Sequence, residues 1–121
     1  MARCRMVSYQ QLPEGGALCF ANIDVNMLGY DLNDFFFPQG YKFESGHLMQ
    51  GNWGKGSDVA RALLGGFATR FLFTVTLTPQ PPYTWMAITK GMSGMMGGVI
   101  GYSKMNTELA RIVNAAYNYW R

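Results

Sequence analysis

The stretch 70-RFLFTVTLTPQPPYTWMAIT-89 decides the fold class of this chain. Its first half alternates apolar side chains on one face with mostly threonine on the other, which is the period of a β-strand. The apolar face consists of Phe71, Phe73, Val75 and Leu77. The proline-rich run 79–82 forbids continuation of that strand and forces a turn. Residues 83–89 are rich in aromatic and β-branched side chains, so the whole stretch predicts an antiparallel hairpin.

A second strand and a C-terminal helix are predicted on either side of this hairpin. Ala17–Val25 alternates between two faces, which is typical of a strand with one face in a core. From Ser103 or Asn106 to Trp120, apolar residues recur at steps of three and four, which predicts an amphipathic helix. The apolar face of that helix is Leu109, Ile112, Val113, Ala116, Tyr117 and Trp120.

Shorter elements are expected between these. Residues 1–16 predict an extended N-terminal arm that ends in a turn. Residues 26–56 are rich in Gly and Asn and contain Pro38, so no long element is expected there, only short strands near 41–43 and 47–50 as an edge hairpin. A helix of about two turns is predicted to begin at Ser57, a good N-cap, and to end at Gly65-Gly66.

Together these elements predict a single α+β domain over residues 1–121. We expect an antiparallel or mixed sheet of four to six strands, a short middle helix, and a C-terminal amphipathic helix packed on one face of the sheet.

The composition excludes several classes of protein. Apolar residues make up 49% of the chain and charged residues only 14%, which excludes intrinsic disorder and a charged coiled coil. The net charge is +3, divided as −2 over residues 1–60 and +5 over residues 61–121. This asymmetry favours head-to-tail association or an acidic partner, with an ordinary solvated surface as the alternative. No basic run is dense enough to predict nucleic-acid binding.

Residues with catalytic potential are sparse. Glu44 and His47 form a Glu-x-x-His step, which on a helix is a pattern for metal ligands or an acid–base pair. The surrounding turn formers argue against a helix, and His47 is the one histidine of the chain, so a surface or packing role is favoured. No nucleophile motif is present. The sequence therefore predicts no catalytic residue, no metal site and no cofactor.

Two further groups have structural and chemical interpretations. Cys4 and Cys19 are interpreted as unpaired, partly buried thiols, with a single disulfide as the alternative. The acidic cluster departs from a calcium-binding loop and is interpreted as side-chain caps of turns. Its members are Asp24, Asp31, Asn33 and Asp34.

An anion site is conceivable before the predicted middle helix. Lys55, Gly56 and Ser57 precede the helix N-terminus, where free N–H groups favour negative charge. An ordinary loop and N-cap is the alternative. A nucleotide-binding loop is excluded, because Gly56 separates Lys55 from Ser57.

Two apolar segments predict a contact surface between protein subunits. Three consecutive phenylalanines, 35–37, cannot all face inward from one strand, so at least one is expected to be exposed or covered by a partner. Residues 91–101 are rich in Met and Gly, which favours a flexible soluble loop, with an adaptable contact surface that orders on assembly as the alternative. The predicted contact residues are Phe35, Phe36, Phe37, Met92, Met95, Met96 and Ile100.

Residues 54–121 resemble the C-terminal part of small bacterial envelope lipoproteins with a curli-secretion-like periplasmic domain. The features that carry the resemblance are a Gly-rich loop, an Ala-Arg-Ala-Leu-Leu-Gly-Gly-Phe helix end, the strand 71–78 with its hairpin, a Gly-rich link and a final amphipathic helix. The resemblance implies an α/β sheet packed by helices and a place in the bacterial envelope. The chain departs from the family in lacking a signal segment and a lipid-bearing cysteine motif.

Three functions follow as expectations. The leading one is a non-enzymatic structural or interaction subunit of a homo-oligomer or larger assembly. The alternatives are a small-ligand or lipid-binding domain that uses the aromatic face of the sheet, and a small enzyme with a site shared between subunits. No transmembrane helix is expected, since the longest weakly charged apolar stretch is too short. The sequence predicts a cytoplasmic protein as written, or a periplasmic or extracellular one if an export segment has been removed.

Overall fold

The computed structural model describes residues 2–56, 71–91 and 98–121, the last range with side chains from residue 105 onward. Six strands and two helices occur in these ranges. The strands are β1 (Met6–Leu12), β2 (Gly15–Ala21), β3 (Lys42–His47), β4 (Gln50–Lys55), β5 (Phe71–Gln80) and β6 (Tyr83–Lys90). The helices are α1 (Val25–Phe36), which continues into a 3-10 turn (Phe37–Gln39), and α2 (Gly98–Trp120). The strands form one antiparallel sheet in the order β1-β2-β6-β5-β4-β3, which confirms the α+β class.

The predicted hairpin forms between β5 and β6. Strand β5 continues through Pro79 to Gln80, two residues beyond the expected end. A proline is tolerated there because the ladder between β4 and β5 ends at Thr76, so Pro79 has a strand neighbour on one side only. The turn itself lies at Pro81–Pro82.

The N-terminal segment is a strand of the sheet rather than a separate arm. Strand β1 pairs antiparallel with β2 through a turn at Pro13 and Glu14. Strand β2 ends at Ala21, short of the predicted Val25, since Asn22 adopts a positive φ of 53° and Asp24 already caps the following helix.

Helix α1 corrects the expectation that residues 26–56 hold no long element. The Asp24 side chain caps it by accepting a hydrogen bond from the Asn26 N–H at 2.9 Å. Gly29 and Asn33 lower its intrinsic propensity, each by up to about 1 kcal/mol. The buried face outweighs that cost; it consists of Leu28, Asp31, Leu32, Phe35 and Phe36. The expected edge hairpin is present as β3 and β4. The strand expected near 47–50 is wrong in position, because residues 48–49 form the turn and the second strand is Gln50–Lys55.

The core lies between one face of the sheet and the two helices. Helix α2 packs over β2, β5 and β6, and it begins at Gly98, earlier than predicted. Its predicted apolar face is buried except for Tyr117, which is exposed. The largest fully buried side chains are Trp120, Tyr41, Phe20, Phe36 and Phe73. The helix predicted at 57–66 lies outside the described residues.

Candidate functional site

A buried carboxylate joins three parts of the chain. Asp31, on α1, is fully buried. It accepts hydrogen bonds from the backbone N–H groups of Arg3 and Cys4 at 2.9 Å and from the indole N–H of Trp120 at 3.1 Å. The Arg3 guanidinium lies 3.3 Å from the same carboxylate and 2.7 Å from Asp34. Because these donors occupy both oxygens, Asp31 is a structural anchor and has no oxygen left for substrate chemistry.

The protonation state of Asp31 follows from this arrangement. Burial by itself raises the pKa of a carboxyl group. Here the N–H groups of Arg3 and Cys4, the Trp120 indole and the Arg3 guanidinium outweigh burial and hold the pKa of Asp31 below its usual value. Asp31 is therefore a carboxylate at neutral pH.

A second polar cluster links α2 to the segment between the 3-10 turn and β3. The hydroxyl of the fully buried Tyr41 donates to Glu108 at 2.5 Å, and the Arg111 guanidinium holds both Glu108 oxygens at 2.7 Å. Arg111 also donates to the Gln39 side chain at 3.1 Å. Burial and the hydrogen bond to Glu108 raise the pKa of Tyr41 well above its usual range. The polar groups of this cluster bind one another, so the cluster, like Asp31, stabilises the packing of the segments that it joins.

The concave site with the chemistry of a ligand pocket lies between α1 and the β3–β4 hairpin. This cleft has a volume of about 300 Å³. Its lining combines apolar and aromatic side chains with two polar ones, His47 and Asn33. Pockets that bind small molecules have this composition, an apolar wall with few polar groups.

Trp53 is the fixed wall of the cleft. It is 5% exposed and stacks on Phe36 with ring centroids 4.8 Å apart and planes 17° apart. Phe43, which is 47% exposed, meets Trp53 edge-on at 5.5 Å. The Phe43 ring lies across Gly51, where an added Cβ atom would stand 2.6 Å from it. The missing side chain at Gly51 thus lets an aromatic ring lie close to the sheet.

His47 stands at the mouth of the cleft. Its Nδ1 accepts the backbone N–H of Met49 at 3.2 Å. A neutral imidazole that accepts at Nδ1 carries its proton on Nε2, so His47 offers one N–H donor. It is not part of a helix, and its partner in the Glu-x-x-His step, Glu44, lies on the same edge strand. Among the described residues no three His, Cys, Asp or Glu side chains are grouped as a metal site would need.

A larger groove of about 580 Å³ lies between α2 and the β1–β2 turn. Its polar lining residues include Gln11, Glu14, Lys90, Asn106 and Asn114. Such a lining is more polar than a typical small-molecule pocket, so the cleft at Trp53 is the stronger candidate for a ligand site.

The surface of α1 carries the second candidate site. Met27 and Tyr30 lie on its outer face, and Phe37 continues that face, because its backbone keeps helical dihedrals at φ −58° and ψ −47°. Phe37 is 71% exposed, the largest value among the exposed apolar side chains of the described part of the chain. We call Met27, Tyr30 and Phe37 the α1 stripe.

The predicted contact residues separate into three groups. Phe35 and Phe36 lie in the core of this chain, 4% and 0% exposed, so the expectation of an exposed contact at these two positions is corrected. The reason is that the run belongs to a helix, where successive residues are 100° apart and two neighbours can share the buried face. Phe37 is the exposed member. Met92, Met95 and Met96 lie outside the described residues, and Ile100 lies in the first turn of α2.

The other predicted groups are placed as follows. Lys55 ends β4, with its ammonium 5.7 Å from the centre of the Tyr41 ring, and Gly56 follows at a φ of +100°. Ser57 lies outside the described residues, so the anion site is untested. Cys4 and Cys19 are both buried and unpaired.

A scan against protein-family models finds no match to this chain, and a search of curated proteins finds none with significant similarity. Among the described helices, none combines the length and the apolar character needed to cross a membrane.

Sequence reasoning missed the cleft as a site. Trp53 and Leu48 were not singled out, because their segment has neither strand alternation nor helical spacing. The sequence feature that could have indicated the cleft is the combination of glycine and aromatic residues in the β3–β4 segment, which favours close packing of a ring on a strand.

Proposed function

We propose that this protein is a non-enzymatic structural or interaction subunit that associates with copies of itself or with other protein subunits. The observation that carries the proposal is the α1 stripe, in which Phe37 is 71% exposed beside Met27 and Tyr30. An exposed aromatic group of this kind is typical of protein contact surfaces.

Energetics support association through this stripe. Each large apolar side chain that becomes buried contributes about 1.5–3 kcal/mol. Three such residues per subunit offset much of the entropy lost on association. Only 14% of the residues are charged, so few groups are available to keep an apolar surface in water.

Light scattering on the purified protein over a range of concentrations tests the proposal. We expect a molar mass above that of one chain, and a return to the monomer mass in Phe37→Asp with an unchanged circular dichroism spectrum. Tyr83→Asp is the matched control, since Tyr83 is 46% exposed next to the turn of the β5–β6 hairpin, is not part of the stripe, and should leave the mass unchanged. A parent protein that stays monomeric at high concentration, or a Phe37→Asp variant with the parent's mass, contradicts association through the stripe.

Small-ligand binding is the second candidate function. It is favoured by one observation, the cleft of about 300 Å³ beside Trp53, which is apolar and has a hydrogen-bond donor at its mouth. A place in the bacterial envelope stays a prediction from the sequence resemblance.

A further inference from the structure

We infer that the cleft between α1 and the β3–β4 hairpin binds an uncharged, planar aromatic molecule that carries a carbonyl oxygen. This inference rests on the second candidate function and specifies its ligand.

The shape of the cleft selects a flat molecule. Phe43, which is 47% exposed, supplies the accessible aromatic wall, and the nearly buried side chains of Trp53, Leu32 and Val75 form the apolar floor between α1 and the sheet. Aromatic walls pack best against another ring, in stacked or edge-to-face contact. A volume of about 300 Å³ is at the lower end of ligand pockets, which favours a ligand of one or two fused rings.

The walls are already in place before a ligand arrives. The Trp53 ring is fixed by stacking on Phe36. The Leu48 side chain packs closely on Gly29, where an added Cβ atom would stand 2.9 Å from the Leu48 Cδ1. Little side-chain freedom is therefore lost on binding, which increases affinity for a given contact area.

The polar groups at the mouth select a hydrogen-bond acceptor. Since Nδ1 of His47 is occupied by the Met49 N–H, Nε2–H is its free donor. The Asn33 side chain also lines the cleft, is exposed, and makes no hydrogen bond to another residue in the described part of the chain. A carbonyl oxygen is the group that fits these donors.

The charge of the cleft selects against a carboxylate. The described residues that line it include no Lys, Arg, Asp or Glu. A carboxylate that enters an apolar site without a cation loses hydration that a neutral donor does not replace. A neutral amide or ketone loses less and keeps the hydrogen bond.

Three probes of one ring system test the inference by isothermal titration calorimetry. The probes are 2-naphthamide (neutral, with a carbonyl), 2-naphthoate (charged) and 2-ethylnaphthalene (no acceptor). We expect the amide to bind most tightly. His47→Phe keeps a ring at the mouth of the cleft but removes the N–H donor. It should weaken the affinity for the amide by about three- to tenfold and leave the affinity for the hydrocarbon unchanged. His47→Gln, which can still donate, should recover part of the loss.

A blocking variant locates the binding. Gly29→Leu places a good helix former on α1 with its side chain in the cleft, and should abolish binding of all three probes. Asn26→Leu, at an exposed position of α1 that lies outside both the cleft lining and the α1 stripe, is the matched control and should bind as the parent does.

The outcomes distinguish ligand binding in the cleft from recognition of an uncharged carbonyl compound there. If no probe binds the parent protein, ligand binding in the cleft is wrong altogether. If Gly29→Leu binds as the parent does, the probes bind elsewhere and the cleft is the wrong site. If all three probes bind equally and His47→Phe changes nothing, the cleft binds ligands but does not recognise a carbonyl. Tightest binding of the naphthoate would overturn the preference for an uncharged ligand.

Discussion

The indole of Trp120 donates a hydrogen bond to the carboxylate of Asp31 at 3.1 Å, which ties the end of α2 to the middle of α1. The same carboxylate oxygen accepts the backbone N–H of Cys4 at 2.9 Å. One buried side chain therefore fixes both helices and the start of the chain to one point, and its loss should affect all three.

Replacement of Asp31 by asparagine should destabilise the protein strongly. In Asp31→Asn one oxygen becomes an NH₂ group that faces N–H donors, so at least one buried donor loses its partner. We expect the free energy of unfolding in urea to fall by about 2–4 kcal/mol. Asp34→Asn is the control; it breaks only the exposed ion pair with Arg3 and should cost less than about 1 kcal/mol. Equal losses in the two variants would contradict the anchoring role of Asp31.

Acid should destabilise the folded state through the same group. The folded-state pKa of Asp31 lies below its value in the unfolded chain, and the pKa of Glu108 is likewise lowered, since hydrogen bonds from Arg111 and Tyr41 outweigh burial. The two carboxylates stabilise the folded state fully when the pH is above their pKa values in the unfolded chain. This stabilisation is lost as the pH falls below about 4. Urea unfolding at a series of pH values measures this. The free energy of unfolding should fall less on acidification in Asp31→Asn than in the parent. An identical pH profile in the two proteins would contradict the contribution of Asp31.

The hydroxyl of Tyr41 should contribute measurably to stability. Tyr41→Phe removes the donor to Glu108 and leaves the ring contacts with Phe36 and Phe73 in place. We expect a loss of about 1–3 kcal/mol, as for a hydrogen bond to a charged group. Tyr83→Phe removes an exposed hydroxyl and should change stability by less than about 0.5 kcal/mol. Thermal or urea unfolding of the two variants gives the comparison.

Both thiols should resist alkylation in the folded protein. Burial raises the pKa of the Cys4 thiol to about 11, with the nearby charge of Asp31 adding to the effect, and burial also raises the pKa of Cys19. At pH 8 the reactive thiolate is therefore scarce and shielded. Intact-mass analysis after iodoacetamide treatment should show unmodified folded protein and two labels after unfolding in urea. Rapid labelling of the folded protein, or a disulfide in it, would be inconsistent with buried free thiols.

Local pattern was enough to predict the β5–β6 hairpin, most of β2 and α2, whereas β1 was expected only as an extended arm. The hairpin of β5 and β6 has clean alternation and a proline turn, and α2 has an apolar face at regular helical spacing. Helix α1 was missed because Gly29 and Asn33 weaken its propensity, while the burial that stabilises it involves the distant residues Trp53 and Trp120. Tertiary contacts of this kind are invisible in a local window.

The site was less predictable than the fold, for a related reason. The cleft is made by two segments, α1 and the β3–β4 hairpin, and its walls depend on strand register. The Glu-x-x-His step drew attention to His47 for metal or acid–base chemistry. Its place in the lining of the same cleft as Trp53 depends on the register of the β3–β4 hairpin. The exposure of one phenylalanine in the 35–37 run was expected, whereas which of the three is exposed depends on the helix.

The strand order has a consequence for synthesis on the ribosome. The strands from β3 to β6 pair with their neighbours in the sequence, but β2 pairs across the chain with β6, at Leu18 opposite Met86. The first hairpin therefore emerges some seventy residues before the strand that it must join, with the core residues Leu18 and Phe20 uncovered in the meantime. Four strands can form a sheet by local pairing, whereas the N-terminal hairpin can join its edge only once β6 has been synthesised. A nascent chain arrested before Tyr83 would thus present the apolar side chains of β2 to chaperones.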